Sequence, residues 1–316
     1  MRVVVIGSEG FIGQALVARL LRDAPLGEQG LPASLITRLD LRMGPASSSP
    51  RVRCVEGEFS DRALLTRAFE GGVDYVFHLA SVAGGAAEQN FALGLRVNLQ
   101  ATLELLEALR LGDQKPKLVF ASTIGVYGVP MPSVIDEQTV PAPTLSYGAH
   151  KYISEVLVSD YSRRGFIDGR SVRIPGVVAR PPSSGVHSVF LSDLIRELAA
   201  GNSFVCPAAA NAPAWWMSRS CSVDNLLRAA ALPAKVVARQ RSFLLPVLRL
   251  TIAEVVKGMA AVYGSDLPGR ISYQPDAALQ AQFANFPPLH CPQAELAGFR
   301  HDGDVAALVQ RALDPV

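Results

Sequence analysis

The chain is poor in the features that mark several large protein classes. It has only 4 cysteines, at positions 54, 206, 221 and 291, and no CxxC pair. That excludes a disulfide framework. With no His or Cys cluster at ligand spacing it also argues for no metal site, and the thiols read as reduced, cytoplasmic and packed as small hydrophobes. No apolar run approaches the ~18 residues of a membrane-spanning helix. The opening segment lacks a basic flank followed by a small-residue cleavage site, so it does not read as a secretory signal. Charge is sparse and balanced, with 30 Lys plus Arg against 28 Asp plus Glu and a net charge of +2. Neither a nucleic acid nor an anionic membrane is expected as a partner.

What is present is ample core material: 316 residues, 49% of them hydrophobic, enough for one large domain or two interleaved ones. Strand-like runs at 2–6, 35–40, 51–56, 74–80, 117–122 and 171–174 alternate with helical spacing at 11–22, 61–70, 91–111 and 144–164. Near-continuous apolar strands between helices predict an α/β fold, a parallel sheet covered on both faces and doubly wound by right-handed crossovers. From about 176 the alternation breaks. The stretches 178–187 and 206–219 are proline-rich and irregular, a composition suited to pocket-forming segments. Residues 241–247 and 250–264 read as one more strand and helix.

The opening "RVVVIGSEGFIG" places Gly7, Gly10 and Gly13 directly after a strand and directly before a helix. Glycines there permit a tight turn and close backbone approach, and the helix N-terminus offers unpaired N–H groups to a pyrophosphate. The next strand ends in Asp40, whose carboxylate would accept from ribose hydroxyls and repel a 2′-phosphate, favouring NAD over NADP. Arg38 and Arg42 nearby soften that preference.

"YGAHK" sets Tyr147 and Lys151 at i and i+4, one above the other on a helix face. Upstream, "FASTIGVYG" puts Ser122 and Thr123 at a carboxyl edge of the sheet, where ligands of open α/β sheets sit. A phenol titrates near ~10. An ammonium one turn away, with an oxidised nicotinamide, would favour its phenolate as a base toward a substrate hydroxyl. Ser122 and Thr123 would hold that hydroxyl.

Taken together, GxxGxxG, "VFHLAS", "RVNLQATLELLEA", "FASTIGVYG", "YGAHK" and "VRIPGVVARP" resemble the extended short-chain dehydrogenase/reductase (NAD-dependent epimerase/dehydratase-like) family, along nearly the whole chain and most strongly over 1–182. The resemblance implies an NAD-binding Rossmann domain over 1–175 with a return segment about 220–250. A smaller, partly interleaved C-terminal substrate-binding region would take 176–219 and 251–316. It implies Thr123, Tyr147 and Lys151, with adjacent Ser122, as the catalytic set. Facing the cofactor with Gly7, Gly10, Phe11, Ile12, Gly13 and Asp40 would be Glu58 and Phe59 beside adenine, Leu79, Ala80 and Ser81 beneath the cofactor, and Asn98, Tyr147 and Lys151. Pro175, Val177 and Val178 would lie against the nicotinamide. It also implies a homodimer through helices 91–111 and 144–164. His150 stands where the family often has serine.

Residues 160–181 look closest to the D-erythronate dehydrogenase branch, whose members oxidise the C2 hydroxyl of a four-carbon sugar acid with NAD. The expected substrate is then a small sugar acid touching Ser81, Ser122, Thr123 and Tyr147. Arg180 would either pair with the substrate carboxylate or tie the Pro181–Pro182 loop to the sheet, and Arg219 has the same two readings. His78 reads as a core histidine. Trp215 and Trp216 either wall the pocket or pack a loop. The rival function is a sugar-nucleotide epimerase or dehydratase that retains its NAD, and a second rival is a non-catalytic dinucleotide-binding module. The 183–222 segment, with only Arg196 and Arg219 as cations, suits a small substrate better than a diphosphate.

Overall fold

The computed structural model describes residues 1–112, 114–182 and 189–314. Seven strands form one sheet: β1 (Arg2–Ile6), β2 (Leu35–Asp40), β3 (Val52–Glu56), β4 (Tyr75–His78), β5 (Lys117–Thr123), β6 (Asp168–Ile174) and β7 (Ser242–Leu244). They run in the order β7-β6-β5-β4-β1-β2-β3, and every neighbouring pair is parallel. This is the doubly wound Rossmann arrangement. The order reverses between β1 and β4, so a crevice opens past their carboxyl ends.

The helices that matter here are α1 (Phe11–Leu21), α2 (Arg62–Ala68), α3 (Ala101–Leu111), α4 (Ser146–Arg163) and α5 (Arg219–Ala231). Successive strand residues face opposite sides, which is why the strands are apolar at nearly every position. Val3 and Val5 of β1 pack with Leu16 and Leu20 of α1 and Leu226 of α5. Val4 and Ile6 pack with Leu65 of α2 and Leu105 of α3 on the other face. Each such fully buried aliphatic contributes about 1.5–3 kcal/mol of transfer free energy.

A third apolar cluster lies beyond the sheet, joining Leu194, Ile195, Trp216, Val255, Met259 and Leu308. Here the expectation of irregular structure over 206–219 is corrected. Pro213–Trp216 is a strand, paired antiparallel with Leu248–Thr251, as aromatic residues on a half-covered surface favour. Its alternation sends Trp215 into the sheet's core and Trp216 into the third cluster. Both are fully buried. Their indole N–H groups donate to the carbonyls of Pro287 (3.0 Å) and Leu250 (2.9 Å). Among the described residues, both tryptophans pack within apolar clusters. Residues 183–188 of the proline-rich stretch expected to form the pocket lie outside the described residues.

Candidate active site

The β1–α1 turn is built so that only glycine fits at two places. Gly7 has φ +83°, and a Cβ there would lie 2.6 Å from the Ala80 amide nitrogen. A Cβ on Gly13 would lie 2.1 Å from the Gly7 carbonyl oxygen. The turn is thus pressed against both β4's continuation and its own helix. Gly10 is the N-cap and supplies no side-chain cap, so the first N–H groups of α1, from Phe11 onward, remain for an anion.

A cavity of about 530 Å³ opens over this turn. Of the anticipated cofactor residues, Gly7, Gly10, Asp40, Glu58, Phe59, Leu79, Ala80 and Ser81 line it. Asp40 is oriented by backbone: its two carboxylate oxygens accept from the N–H groups of Glu9 (2.8 Å) and Leu41 (2.7 Å). These features, a cradle that a Cβ would fill beside a fixed carboxylate, fit the pyrophosphate and ribose of a nicotinamide dinucleotide. Glu9 and Arg96 also line the cavity, and the sequence reading passed over both. The only available signal for Glu9 was its place inside the glycine pattern.

Several of the expected cofactor residues do not line this cavity with their side chains. Phe11 lies under Arg219, whose guanidinium carbon is 4.9 Å from the ring centre. Asn98 is buried, and its amide both accepts from and donates to the Val82 backbone, at 2.7 and 3.0 Å. It therefore holds the segment after β4 rather than facing the cavity. Val177 and Val178 join the end of β6 to Met217, with the Val178 N–H donating to the Met217 carbonyl at 2.9 Å. Pro175 is buried at that same strand end, and Ile12 is half-buried in the first turn of α1.

The catalytic candidates meet where β5 runs into α4. Thr123 ends β5, and its hydroxyl caps the following turn by accepting from the Gly125 N–H at 3.0 Å. Tyr147 lies in the first turn of α4 and Lys151 one turn on. The buried Lys151 ammonium donates to the Ala121 carbonyl (2.8 Å) and sits 4.7 Å from the Phe120 ring centre and 5.8 Å from that of Tyr147. Burial lowers its pKa to about 7, against an upward pull from Glu155.

Burial raises the pKa of Tyr147, while hydrogen bonding to Ser81, the Arg180 charge and hydrogen bonding to Thr123 pull it back. In the protein alone the net direction is upward. Desolvation outweighs the neighbours, and the opposing cation is Arg180.

Strand alternation turns Ser122 away from Thr123, and its buried hydroxyl donates to a Glu155 carboxylate oxygen. Glu155 is gripped by Arg173 (2.7 Å), which also donates to the Tyr127 hydroxyl (2.9 Å). Ser122 thus belongs to a buried ion-pair network behind the site. His78 is the expected core histidine: fully buried, bonded to the Thr102 hydroxyl at 2.9 Å, its pKa driven well down by burial.

The two arginine candidates separate. The charge of Arg180 acts on the Tyr147 phenol, and its Nε donates to the Val177 carbonyl at 2.9 Å. Among the described residues no hydrogen bond engages its other two nitrogens. Arg219 stacks on Phe11 and donates to the Asp314 carbonyl at 2.6 Å, so it belongs with α1 and the C-terminal segment. No helix among the described residues is long and apolar enough to cross a membrane.

The family model described as "NAD dependent epimerase/dehydratase family" matches residues 3–212. A D-erythronate dehydrogenase of Cupriavidus necator is 35% identical over 99% of this chain and 98% of its own. One from Haemophilus influenzae is 30% identical over 99% of both chains. Among solved structures, a nucleoside-diphosphate-sugar epimerase from Agrobacterium tumefaciens superposes with a TM-score of 0.89 at 31% identity, covering 98% of this chain and 92% of that one. Thr123, Tyr147 and Lys151 do not line the cavity over the glycine turn, which reaches toward them only as far as Ser81. By the family match and the two full-length relatives, the chain belongs to the NAD-dependent epimerase/dehydratase family.

Proposed function

We propose that the protein is an NAD-dependent dehydrogenase oxidising a secondary hydroxyl of a small sugar acid, C2 of D-erythronate to the 2-oxo acid. The observation that carries this reading is the placing of Thr123 at the end of β5 against Tyr147 and Lys151 of α4, a hydroxyl, a phenol and an amine suited to holding a substrate hydroxyl and taking its proton. The charge of Arg180 acts on the same phenol, and a guanidinium suits a carboxylate. The two full-length relatives named D-erythronate dehydrogenase support the same substrate class.

In this reading Thr123 and Ser81 hold the substrate hydroxyl and Tyr147 accepts its proton. Arg180 anchors the carboxylate and lowers the phenol's pKa. Lys151, fixed by Ala121, sets the floor on which Tyr147 rests. A bound nicotinamide supplies the hydride acceptor and, when oxidised, a positive charge. Asp40, with both oxygens fixed toward N–H donors, favours ribose hydroxyls over a 2′-phosphate, hence NAD. We further propose a cytoplasmic homodimer. Exposed Phe91 and Leu103, and Ile153 and Val156 of α4, lie on the two helical stretches expected to pair.

A panel of sugar acids with NAD, read as absorbance of the reduced cofactor, tests the reading. Steady accumulation beyond one equivalent of enzyme is expected with D-erythronate or a close 2-hydroxy acid. The Agrobacterium structure, named as a nucleoside-diphosphate-sugar epimerase, favours a second reading. Protein that carries tightly held NAD, interconverts sugar nucleotides and ignores every sugar acid would establish that reading instead.

A further inference from the structure

Arg38 ought to weaken discrimination against a 2′-phosphate. It lies on β2 two residues before Asp40, so both side chains leave the same face of the strand, about 7 Å apart along it. A guanidinium there is a ready phosphate partner. Yet each of its nitrogens is committed. Nε donates to Glu9 Oε1 at 3.1 Å, Nη2 donates to that same oxygen, and Nη1 reaches the Pro45 carbonyl at 3.4 Å. The pair is largely buried, with 12% and 15% of the two side chains exposed.

Glu9 does more than hold Arg38. Its other oxygen accepts from the Gly44 N–H at 3.2 Å, and a Cβ on Gly44 would come within 2.7 Å of that oxygen. Its own N–H holds Asp40 at 2.8 Å. A single residue of the glycine turn thus fixes the ribose-facing acid through its backbone and occupies the nearest cation through its side chain. Glu56, opposite Asp40 in β3, adds a third carboxylate at this edge and holds the Met43 N–H at 2.9 Å.

We propose that Glu9 is a second determinant of cofactor choice, rejecting NADP by withholding Arg38. This rests on the reading of the cavity as a nicotinamide-dinucleotide site. A 2′-phosphate could recruit Arg38 only by separating a buried ion pair and leaving Glu9 uncompensated, which is costly. Rejection therefore has two independent parts: repulsion by Asp40, and a cation that is present but unavailable. Arg42, exposed in the bend after β2, has no such tie, and Arg96 on the cavity wall has only a long, exposed ion pair with Glu58 at 3.9 Å.

The test is calorimetric titration of NAD, NADP and adenosine 2′,5′-bisphosphate into the intact chain and its Asp40→Ala, Glu9→Gln, double, and Asp40→Ala/Glu9→Gln/Arg38→Ala variants. Glutamine keeps an oxygen for the Gly44 N–H but drops the charge; Glu9→Ser, too short to reach Arg38, replaces it if that variant fails to fold. Asp40→Ala alone should raise the NADP-to-NAD affinity ratio only a few-fold. Adding Glu9→Gln should raise it by about tenfold or more beyond that, as a freed guanidinium meets the phosphate, and removing Arg38 should abolish the second gain. A full gain from Asp40→Ala with nothing added by Glu9→Gln, or a gain that survives loss of Arg38, would overturn the proposal. Failure of the unaltered chain to bind NAD would instead sink the dinucleotide reading, and the proposal with it.

Discussion

At the glycine turn recognition is carried by backbone, whereas at the end of β5 it is carried by buried side chains. Gly7, Gly10 and Gly13 shape the first region, and even its Asp40 carboxylate is aimed by two main-chain N–H groups. The second region brings Ser81, Thr123, Tyr147, Lys151 and Arg180 from four separate stretches into a desolvated cluster. A backbone cradle holds a constant group such as a pyrophosphate without needing any titration. A catalytic cluster must exchange protons, and burial is the means by which its pKa values leave their ordinary range.

The comparison breaks most sharply at Tyr147. Phenylalanine keeps the ring and removes the proton acceptor, so kcat should fall by ~10²–10⁴-fold or more, while calorimetric NAD affinity changes little. Retention of most activity would show that the proton leaves by another route.

Arg180→Met comes next. If the guanidinium anchors a carboxylate, KM for the acid should rise by roughly 10–100-fold, the worth of a charge-assisted bond, with KM for NAD almost unmoved. The pH profile sharpens this. The Arg180 charge lowers the Tyr147 pKa, and in the proposed mechanism the active form is the phenolate. Its removal should therefore shift the rising limb of kcat to higher pH. A profile that stays in place would separate Arg180 from the phenol.

At the backbone end, Gly13→Ala tests the cradle. The new methyl would meet the Gly7 carbonyl at 2.1 Å, and the main chain must shift. We expect about 1–3 kcal/mol lost in denaturant unfolding and NAD binding weakened more than sugar-acid binding. Tolerance of alanine would mean that the turn is looser than its contacts require.

A last test, in stability rather than in binding, separates burial from charge at Lys151. Its pKa falls from the ordinary 10.5 to about 7 on folding, so between those values the unfolded chain binds the extra proton and stability rises with pH. Lys151→Met should remove that rise. The variant gains most in thermal unfolding below pH 7, and its advantage fades toward pH 10 even as activity is lost. An unchanged slope would mean that the ammonium is better solvated than its surroundings indicate.

Much of the fold was legible because its signals are local. The strands at 2–6, 35–40 and 117–123 and the helix at 146–163 follow from apolar period. The 206–219 stretch was misread because its prolines and alanines masked a strand whose partner, Leu248–Thr251, lies some 35 residues away. In the site, Tyr147 and Lys151 were legible through helix spacing, and Asp40 through its place at a strand end. Ser122 bonds Glu155 because neighbours in a strand face opposite sides, and the Asn98 amide is spent on Val82; neither partner can be read from local spacing.

The sequence by itself determined the strand–glycine–helix turn, the acid at the end of β2 and the Tyr–Lys pair. Each depends on backbone sterics or on a spacing of a few residues. Only the tertiary structure decided that Arg180, not Arg219, acts on the phenol, that Trp215 and Trp216 serve two different cores, and that Arg38 is bound to Glu9. In each case the deciding partner lies far along the chain, and only close packing of the folded chain brings it within reach.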